Sequence, residues 1–269
     1  MRFLRIVLVL VFAALAAFYV MNENEKRVSD ADEGPMLVCS EDVLNISVRD
    51  SRKALMKGIS ASDAQDGDLT GEIIISGVSK LMEGDHAKVT YVVVDSDNNI
   101  ATVTRRIHYT DYQPPRFSLL KPLVYSSMQN VSIGDRIQVL DSIDGDITHN
   151  IRVTGTEATD DPAMYTLDVM VTNSMGDTAE LRLPILLSSG EEMQPVIELG
   201  SYLVYLERGS GFFPESYIEQ VRWGTEILPA ESVTISGEVN TYTPGVYQVT
   251  YSVTHEEVAG MAILVVVVE

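Results

Sequence analysis

The stretch Ser62-Asp63-Ala64-Gln65-Asp66-Gly67-Asp68-Leu69-Thr70 decides how the chain is divided. It returns as Leu140-Asp141-Ser142-Ile143-Asp144-Gly145-Asp146-Ile147-Thr148. In both copies an Asp-Gly-Asp turn is followed by an apolar residue, a threonine and a run of β-forming residues. A block that returns at a fixed offset indicates a repeated domain.

The segments around this block indicate three units. Pro35, Pro115 and Pro195 are spaced by 80 residues, and proline suits the start of an edge strand because it cannot donate to a ladder. Apolar and polar residues alternate in residues 88–95, 166–173 and 248–255, which is the pattern of a strand with one buried face. A turn and a closing strand follow each run, at residues 100–109, 178–187 and 261–268. Each unit therefore ends in a β-hairpin.

The predicted fold class is all-β, with three tandem antiparallel Greek-key sandwiches of roughly seven strands behind an N-terminal transmembrane helix. The predicted boundaries are residues 1–27 for a signal-anchor helix with its flanks, 28–34 for a stalk, and 35–112, 113–190 and 191–269 for the sandwiches. Outside the N-terminal segment, the best helix candidate is the short stretch 214–221.

The N-terminal segment predicts membrane insertion. Arg2 and Arg5 precede or interrupt an apolar run whose uncharged part covers residues 6–21, close to the roughly 20 residues that span a bilayer. The basic residues favour a cytoplasmic N-terminus, which places residues 28–269 outside the cell in a single-pass topology. The alternative is a signal peptide cleaved at the small-residue site of Ala14 and Ala16, which would give a secreted protein.

Composition excludes several classes of partner. The formal net charge is −20, so no general basic footprint for nucleic acid is present. The same charge disfavours docking on anionic lipid head groups. The single cysteine, Cys39, excludes an internal disulfide and is expected to act as a small core residue.

The first repeat resembles a known bacterial family. The run from Lys57 to Thr70, followed by Asp95-Ser96-Asp97-Asn98-Asn99 after an alternating strand, is similar to bacterial immunoglobulin-like surface modules, which were first noted in a pesticidal crystal protein and are akin to hyalin repeats. The resemblance is strong for the first unit, fair for the second and weak for the divergent third. It implies an immunoglobulin-like sandwich at a cell surface that serves as a spacer, adhesion or binding module, without catalysis.

The acidic turns allow two interpretations. Aspartates clustered in a tight loop are typical of calcium ligands, and the candidates are Asp63, Asp66, Asp68, Asp141, Asp144 and Asp146. The favoured interpretation is a structural turn, because aspartate side chains accept backbone N–H bonds and glycine adopts positive φ. The spacing lacks the EF-hand pattern, so no cofactor is predicted and calcium stays the alternative. By alignment, Gly67 and Gly145 correspond to Gly224 in the third unit.

The third unit concentrates aromatic residues. An irregular stretch after Gly209-Ser210-Gly211 holds the partner-binding candidates Phe212, Phe213, Tyr217 and Trp223. Clustered aromatics favour recognition of a protein or a glycan, and the alternative is a local core that closes the end of the sandwich.

The sequence predicts no enzyme, because it contains no metal-protease, hydrolase-elbow or phosphate-loop motif. The predicted function is a membrane-anchored, extracytoplasmic protein for adhesion or for binding a cell-envelope or host protein or glycan. A structural spacer or envelope-assembly protein is the alternative, and an accessory module of a secreted enzyme system is a further one.

Overall fold

The computed structural model describes residues 34–128, 131–188 and 194–269, together with Leu15. These residues form three β-sandwiches of one plan, each with a three-stranded and a four-stranded sheet. The all-β prediction and the seven strands per unit are therefore confirmed. Leu15 aside, the predicted membrane segment at residues 6–21 and the stalk up to residue 33 lie outside the described residues. The described part of the chain contains no helix long and apolar enough to cross a membrane.

The first sandwich pairs a sheet in the order β1-β3-β4 with a sheet in the order β2-β7-β6-β5. Its strands are β1 Met36–Cys39, β2 Val43–Ile46, β3 Ile59–Asp63, β4 Gly67–Asp68, β5 Ile74–Val78, β6 His86–Val94 and β7 Ile100–Tyr109. Short 3₁₀ turns cover Arg52–Met56 and Thr70–Glu72. Alternate residues of β6 are buried, including Ala87, Val89, Tyr91 and Val93, as the period-2 pattern predicts.

The second sandwich repeats this order as β8-β10-β11 and β9-β14-β13-β12. Its strands are β8 Arg116–Leu119, β9 Val124–Tyr125, β10 Ile137–Asp141, β11 Gly145–Asp146, β12 Arg152–Ala158, β13 Met164–Thr172 and β14 Thr178–Leu187, with a 3₁₀ turn at Thr148–Asn150.

The third sandwich has the orders β15-β17-β18 and β16-β21-β20-β19. Its strands are β15 Val196–Leu199, β16 Leu203–Leu206, β17 Ile218–Trp223, β18 Glu226–Ile227, β19 Thr234–Ser236, β20 Gly245–His255 and β21 Val258–Val268, with 3₁₀ turns at Pro214–Tyr217 and Ala230–Ser232. The helix candidate at 214–221 is thus a 3₁₀ turn that runs into a strand.

The strand boundaries explain the proline spacing. Pro35, Pro115 and Pro195 are each buried and each directly precede the first strand of a sandwich. The expectation of purely antiparallel sheets is wrong in two of the ladders. β9 pairs with β14, and β16 with β21, in parallel.

The chain divides into two compact units. One contains residues 50–79 and 86–108 with the strands before residue 47. The other contains residues 47–49, 80–85 and 109–269, and so holds the second and third sandwiches.

The second and third sandwiches share a hydrophobic core through β21. Leu264, Val266 and Val268 face the core of the third sandwich, whereas Val265 lies in the cluster of the second. Leu203 of β16 joins Val265 in that cluster. Both faces of β21 are therefore covered, which explains why its sequence is a continuous apolar run without alternation.

Polar groups close the edge of this shared core. The Phe117 N–H donates to the Tyr205 hydroxyl at 3.1 Å, and the Arg116 guanidinium lies 4.8 Å from the centroid of the Tyr205 ring. Arg116 also pairs with the Glu269 carboxylate. Burial raises the pKa of Tyr205, so its hydroxyl stays neutral at physiological pH.

Candidate functional site

The acidic turn of the first sandwich makes the hydrogen bonds that the turn interpretation predicts. Asp63 Oδ1 accepts the N–H groups of Gln65 at 2.7 Å and Asp66 at 2.9 Å. Asp68 Oδ1 accepts the N–H of Thr70 at 2.9 Å. Gly67 has a φ of +79°, a conformation that residues with a Cβ rarely adopt. The turn joins β3 to β4 through the pair Asp63–Gly67.

The second sandwich builds the same turn. Asp141 Oδ1 accepts from Ile143 at 2.9 Å and Asp144 at 2.8 Å, and Asp146 Oδ1 accepts from Thr148 at 2.9 Å. The hydroxyl and N–H of Thr148 are the main causes of a lowered pKa at the Asp146 carboxyl. These carboxylates are acceptors already occupied by the backbone of their own turn.

The middle aspartate of each turn connects two hairpins, a role that sequence reasoning missed. Asp66 accepts from the Ser96 N–H at 2.7 Å and the Ser96 hydroxyl at 2.8 Å. These two bonds lower the pKa of Asp66, with the backbone N–H as the larger cause. Asp144 accepts the same pair of bonds from Ser174, at 2.6 and 2.7 Å. A serine directly after the Asp95 or Asn173 position is the sequence signal for this contact.

These six carboxylates do not come together to form one metal centre. Within the described ranges, no three histidine, cysteine, aspartate or glutamate side chains converge to hold a metal ion. Calcium binding by Asp63, Asp66, Asp68, Asp141, Asp144 and Asp146 stays a prediction.

Beneath the turn of the second sandwich lies a buried polar network. Asn173 Nδ2 donates to Asp141 Oδ2 at 3.0 Å and to the Tyr112 hydroxyl at 3.1 Å. The Tyr112 O–H donates in turn to Asp177 Oδ2 at 2.6 Å. Burial, followed by the Asp177 carboxylate, raises the pKa of Tyr112, so the phenol keeps its proton. Asp141 and Asn173 are only 6% and 5% exposed, and every polar atom in this chain of bonds has a partner.

The third sandwich replaces this turn with a shorter one. Trp223 pairs with Glu226, and the backbone bond from Leu228 to Val221 matches the bonds from Leu69 to Ala61 and from Ile147 to Val139. Trp223 therefore occupies the position of the first turn aspartate. The predicted correspondence of Gly224 with Gly67 and Gly145 is wrong, since Glu226 holds their register position. Gly224 keeps a positive φ of +56°, but in a two-residue loop.

The four predicted aromatic candidates divide into an inner group and an outer residue. Phe212, Tyr217 and Trp223 are partly buried against the core of the third sandwich. The rings of Phe212 and Tyr217 lie 5.7 Å apart, and those of Trp223 and His255 lie 5.1 Å apart. Trp223 ends a strand and does not lie in an irregular stretch. These three side chains match the local-core interpretation.

Phe213 faces solvent, and so does a second aromatic residue at the same loop, which sequence reasoning did not select. Phe213 and Tyr242 are each 70% exposed. Both rings border the loop at residues 209–211. A Cβ built on Gly211 would lie 3.2 Å from Phe213 Cε2, and one on Gly209 would lie 3.6 Å from Tyr242 Cε1. We call Phe213 and Tyr242 the outer aromatic pair.

One backbone and one side-chain hydrogen bond hold the two loops of the outer aromatic pair together. The Gly209 N–H donates to the Thr241 carbonyl at 2.8 Å, and Arg208 Nε donates to the Tyr242 carbonyl at 2.8 Å. Two exposed rings on connected loops with adjacent polar groups form a surface suited to stacking on a flat apolar face of a ligand.

Comparison with known proteins bears on the third sandwich. Residues 199–262 match the family model described as a bacterial surface protein, Ig-like domain. The resemblance to bacterial immunoglobulin-like surface modules is thus confirmed, and it is confirmed on the unit where the sequence motif was weakest. No curated protein matches the chain.

Solved structures give distant likenesses. The second CBM51 domain of Clostridium perfringens ZmpB, solved with GlcNAc and INT domains, is 18% identical over 55% of this chain and 26% of that one, with a TM-score of 0.24. A structure of the M60 catalytic domain of ZmpB with both CBM51 domains is 12% identical over 87% of this chain and 30% of that one, with a TM-score of 0.24. The protocadherin gammaB4 extracellular domain is 14% identical over 88% of this chain and 50% of that one, with a TM-score of 0.21. The chain spans half or less of each of these proteins, and likenesses at this level define no function for it.

Proposed function

We propose that the chain is a non-catalytic, extracytoplasmic binding module of a bacterial cell surface, and that the outer aromatic pair contacts its partner. The observation that carries the binding role is the exposure of Phe213 and Tyr242, both at the loop 209–211 of the sandwich that matches the surface family. Exposed tyrosine and phenylalanine rings at a preformed site lose little conformational entropy on binding.

The partner class favoured by this surface is a neutral glycan. A flat aromatic ring covers the apolar face of a sugar, while the nearby Asn240 and Arg208 side chains offer polar groups at the rim. The net charge of −20 disfavours acidic polymers. A protein partner with an apolar patch is the competing outcome of the test.

The experiment compares binding of the full chain to whole cells, to a glycan array and to envelope extract. Phe213→Ala and Tyr242→Ala should each weaken binding at least about tenfold, since interface aromatics typically contribute 1.4 kcal/mol or more. Phe212→Leu is the matched control, because Phe212 packs inward one residue away. Unchanged binding in both outer variants would refute the recognition role.

We propose further that residues 6–21 anchor the chain and export residues 28–269. The charge and length of the segment support this topology. Protease treatment of intact cells should digest the sandwiches, and the mass of the isolated protein should retain the N-terminal segment. A mass that begins after Ala16 would show cleavage, and protection from protease would refute export.

The spacer function is the second candidate, favoured by the core that the second and third sandwiches share. A joint buried on both sides of β21 holds two modules in a fixed relation, as a structural spacer requires. Retention of surface assembly in the double variant of the outer aromatic pair would favour this candidate.

A further inference from the structure

The first sandwich contains a buried carboxylate oxygen whose bonding capacity is unused. Asp63 is 8% exposed, and its Oδ1 atom accepts the two N–H bonds of the acidic turn. Its Oδ2 atom is buried and, among the described residues, has no hydrogen-bond partner. A buried charged acceptor without a partner is costly, so this oxygen is available to bind a ligand.

The second sandwich shows which group fills the same position. Asp63 and Asp141 end equivalent strands and accept equivalent turn bonds. Asp95 and Asn173 also correspond. Asp95 follows β6 and Asn173 follows β13. The Oδ1 atom of each accepts the N–H of the residue four positions later, at 2.7 and 2.9 Å respectively. In the second sandwich Asn173 Nδ2 donates to Asp141 Oδ2. In the first sandwich the corresponding atom is an oxygen of Asp95.

Asp95 cannot donate a hydrogen bond to Asp63 Oδ2 as Asn173 does to Asp141 Oδ2, because an ionised carboxylate only accepts hydrogen bonds. Asp95 is 8% exposed, and its Oδ2 accepts the Asn99 side-chain N–H at 2.8 Å. The ion pairs found in the described residues include neither Asp63 nor Asp95. Two buried carboxyl groups thus occupy a position where the repeat has one carboxylate and one amide.

A second difference between the repeats concerns the residue that closes the network. Tyr112, three residues before Pro115, bonds to Asp177 in the second sandwich. The residue three positions before Pro35 is Asp32, so the sequence offers no phenol there, and Asp32 lies outside the described residues.

We propose that the first sandwich binds a calcium ion between Asp63 Oδ2 and Asp95 Oδ2, with water completing the coordination. Hard cations take carboxylate and amide oxygens, and a half-turn of the Asn99 amide would add a third protein oxygen. The proposed site does not use Asp66 and Asp68, whose oxygens accept bonds from Ser96 and Thr70. The site therefore differs from the exposed cluster that the Asp-Gly-Asp motif indicates, and the second sandwich lacks it.

The test is calorimetry of the full chain in EDTA and in 10 mM CaCl₂. For a dissociation constant of about 1 mM, typical of extracellular calcium modules, the transition that includes the first sandwich should rise by about 5–10 °C. Hydrogen exchange should show added protection in peptides 59–68 and 91–99, and none in peptides 137–146 and 169–177 of the second sandwich.

The decisive variant is Asp95→Asn, which reproduces the pair of the second sandwich. It should raise the melting temperature in EDTA and abolish the calcium response, and so it separates loss of binding from loss of folding. Asp68→Asn is the matched control and should keep the full response. No shift and no added protection in the natural chain would overturn the proposal. So would a calcium response that Asp68→Asn removes, or one that Asp95→Asn keeps.

Discussion

Val265 provides the sharpest test of the core shared by the second and third sandwiches. It belongs to a strand of the third sandwich, is 0% exposed, and packs in the cluster of the second. Val265→Ala removes two methyl groups, which are worth about 1.6 kcal/mol of transfer free energy, and leaves a cavity between two sheets that cannot easily collapse. We expect the free energy of unfolding to fall by about 1.5–3 kcal/mol.

Urea unfolding measures this loss, with Trp223 as the reporter because it is the single tryptophan and packs on the third core. At about 2 kcal/mol per molar urea, the midpoint should fall by about 1 M. Val246→Ala, at a 44% exposed position on the neighbouring strand, should change stability by less than about 0.5 kcal/mol.

Hydrogen exchange supplies the second readout of the same variant. Strand β13 lies in the second sandwich, where it pairs with β12 and β14 and not with the strand that carries Val265. If the two sandwiches unfold as one unit, its amides should lose protection in Val265→Ala along with those of β20. Loss confined to β20, or a Val265 effect no larger than that of Val246, would refute the shared core.

Three further outcomes are expected. Tyr112→Phe removes the O–H that donates to Asp177 in a buried network, and should cost about 1–3 kcal/mol in denaturant unfolding; a neutral result would contradict the network. Gly260→Ala would place a Cβ 2.0 Å from the Pro195 carbonyl oxygen and should cost at least about 2 kcal/mol, whereas an unchanged midpoint would disprove the close approach. The lowered pKa of Asp146 means that its contribution to stability is fully present above the unfolded pKa of about 4 and is lost as pH falls below that value and through the lower native pKa; Asp146→Asn should flatten the fall in melting temperature below about pH 4, and an unchanged slope there would argue against it.

The sequence predicted most of the fold because its strongest signals are local. The closing strands at 100–109 and 178–187 were predicted at their observed boundaries, since their ends are marked by turns. The prolines located the first strands for the same reason. The parallel pairing of β16 with β21 was missed, because residues separated by some 60 positions in the chain carry no local sign of the direction in which they pair.

The candidate site was harder to predict, because exposure depends on neighbours distant in sequence. Phe212 and Phe213 are adjacent and chemically identical, yet one packs on the core and the other faces solvent. Tyr242 is held near the loop that precedes Phe213 by a bond from the Arg208 side chain, which lies 34 positions earlier in the chain. The alignment of Gly224 with Gly67 and Gly145 failed because the third turn is shorter. Gly224 still has a positive φ, but Glu226 and not Gly224 occupies the paired position.

The double coverage of β21 also bears on how the chain must be made. Residues 262–268 contain no charge, proline or glycine and are rich in valine, which is the composition of a segment that self-associates when uncovered. The second sandwich and the rest of the third, which cover the two faces of β21, both precede β21 in the chain. Both can therefore be in place before β21 leaves the ribosome. A third sandwich expressed without the second would present the Val265 face to water. We expect it to form insoluble aggregates even where its own core is intact.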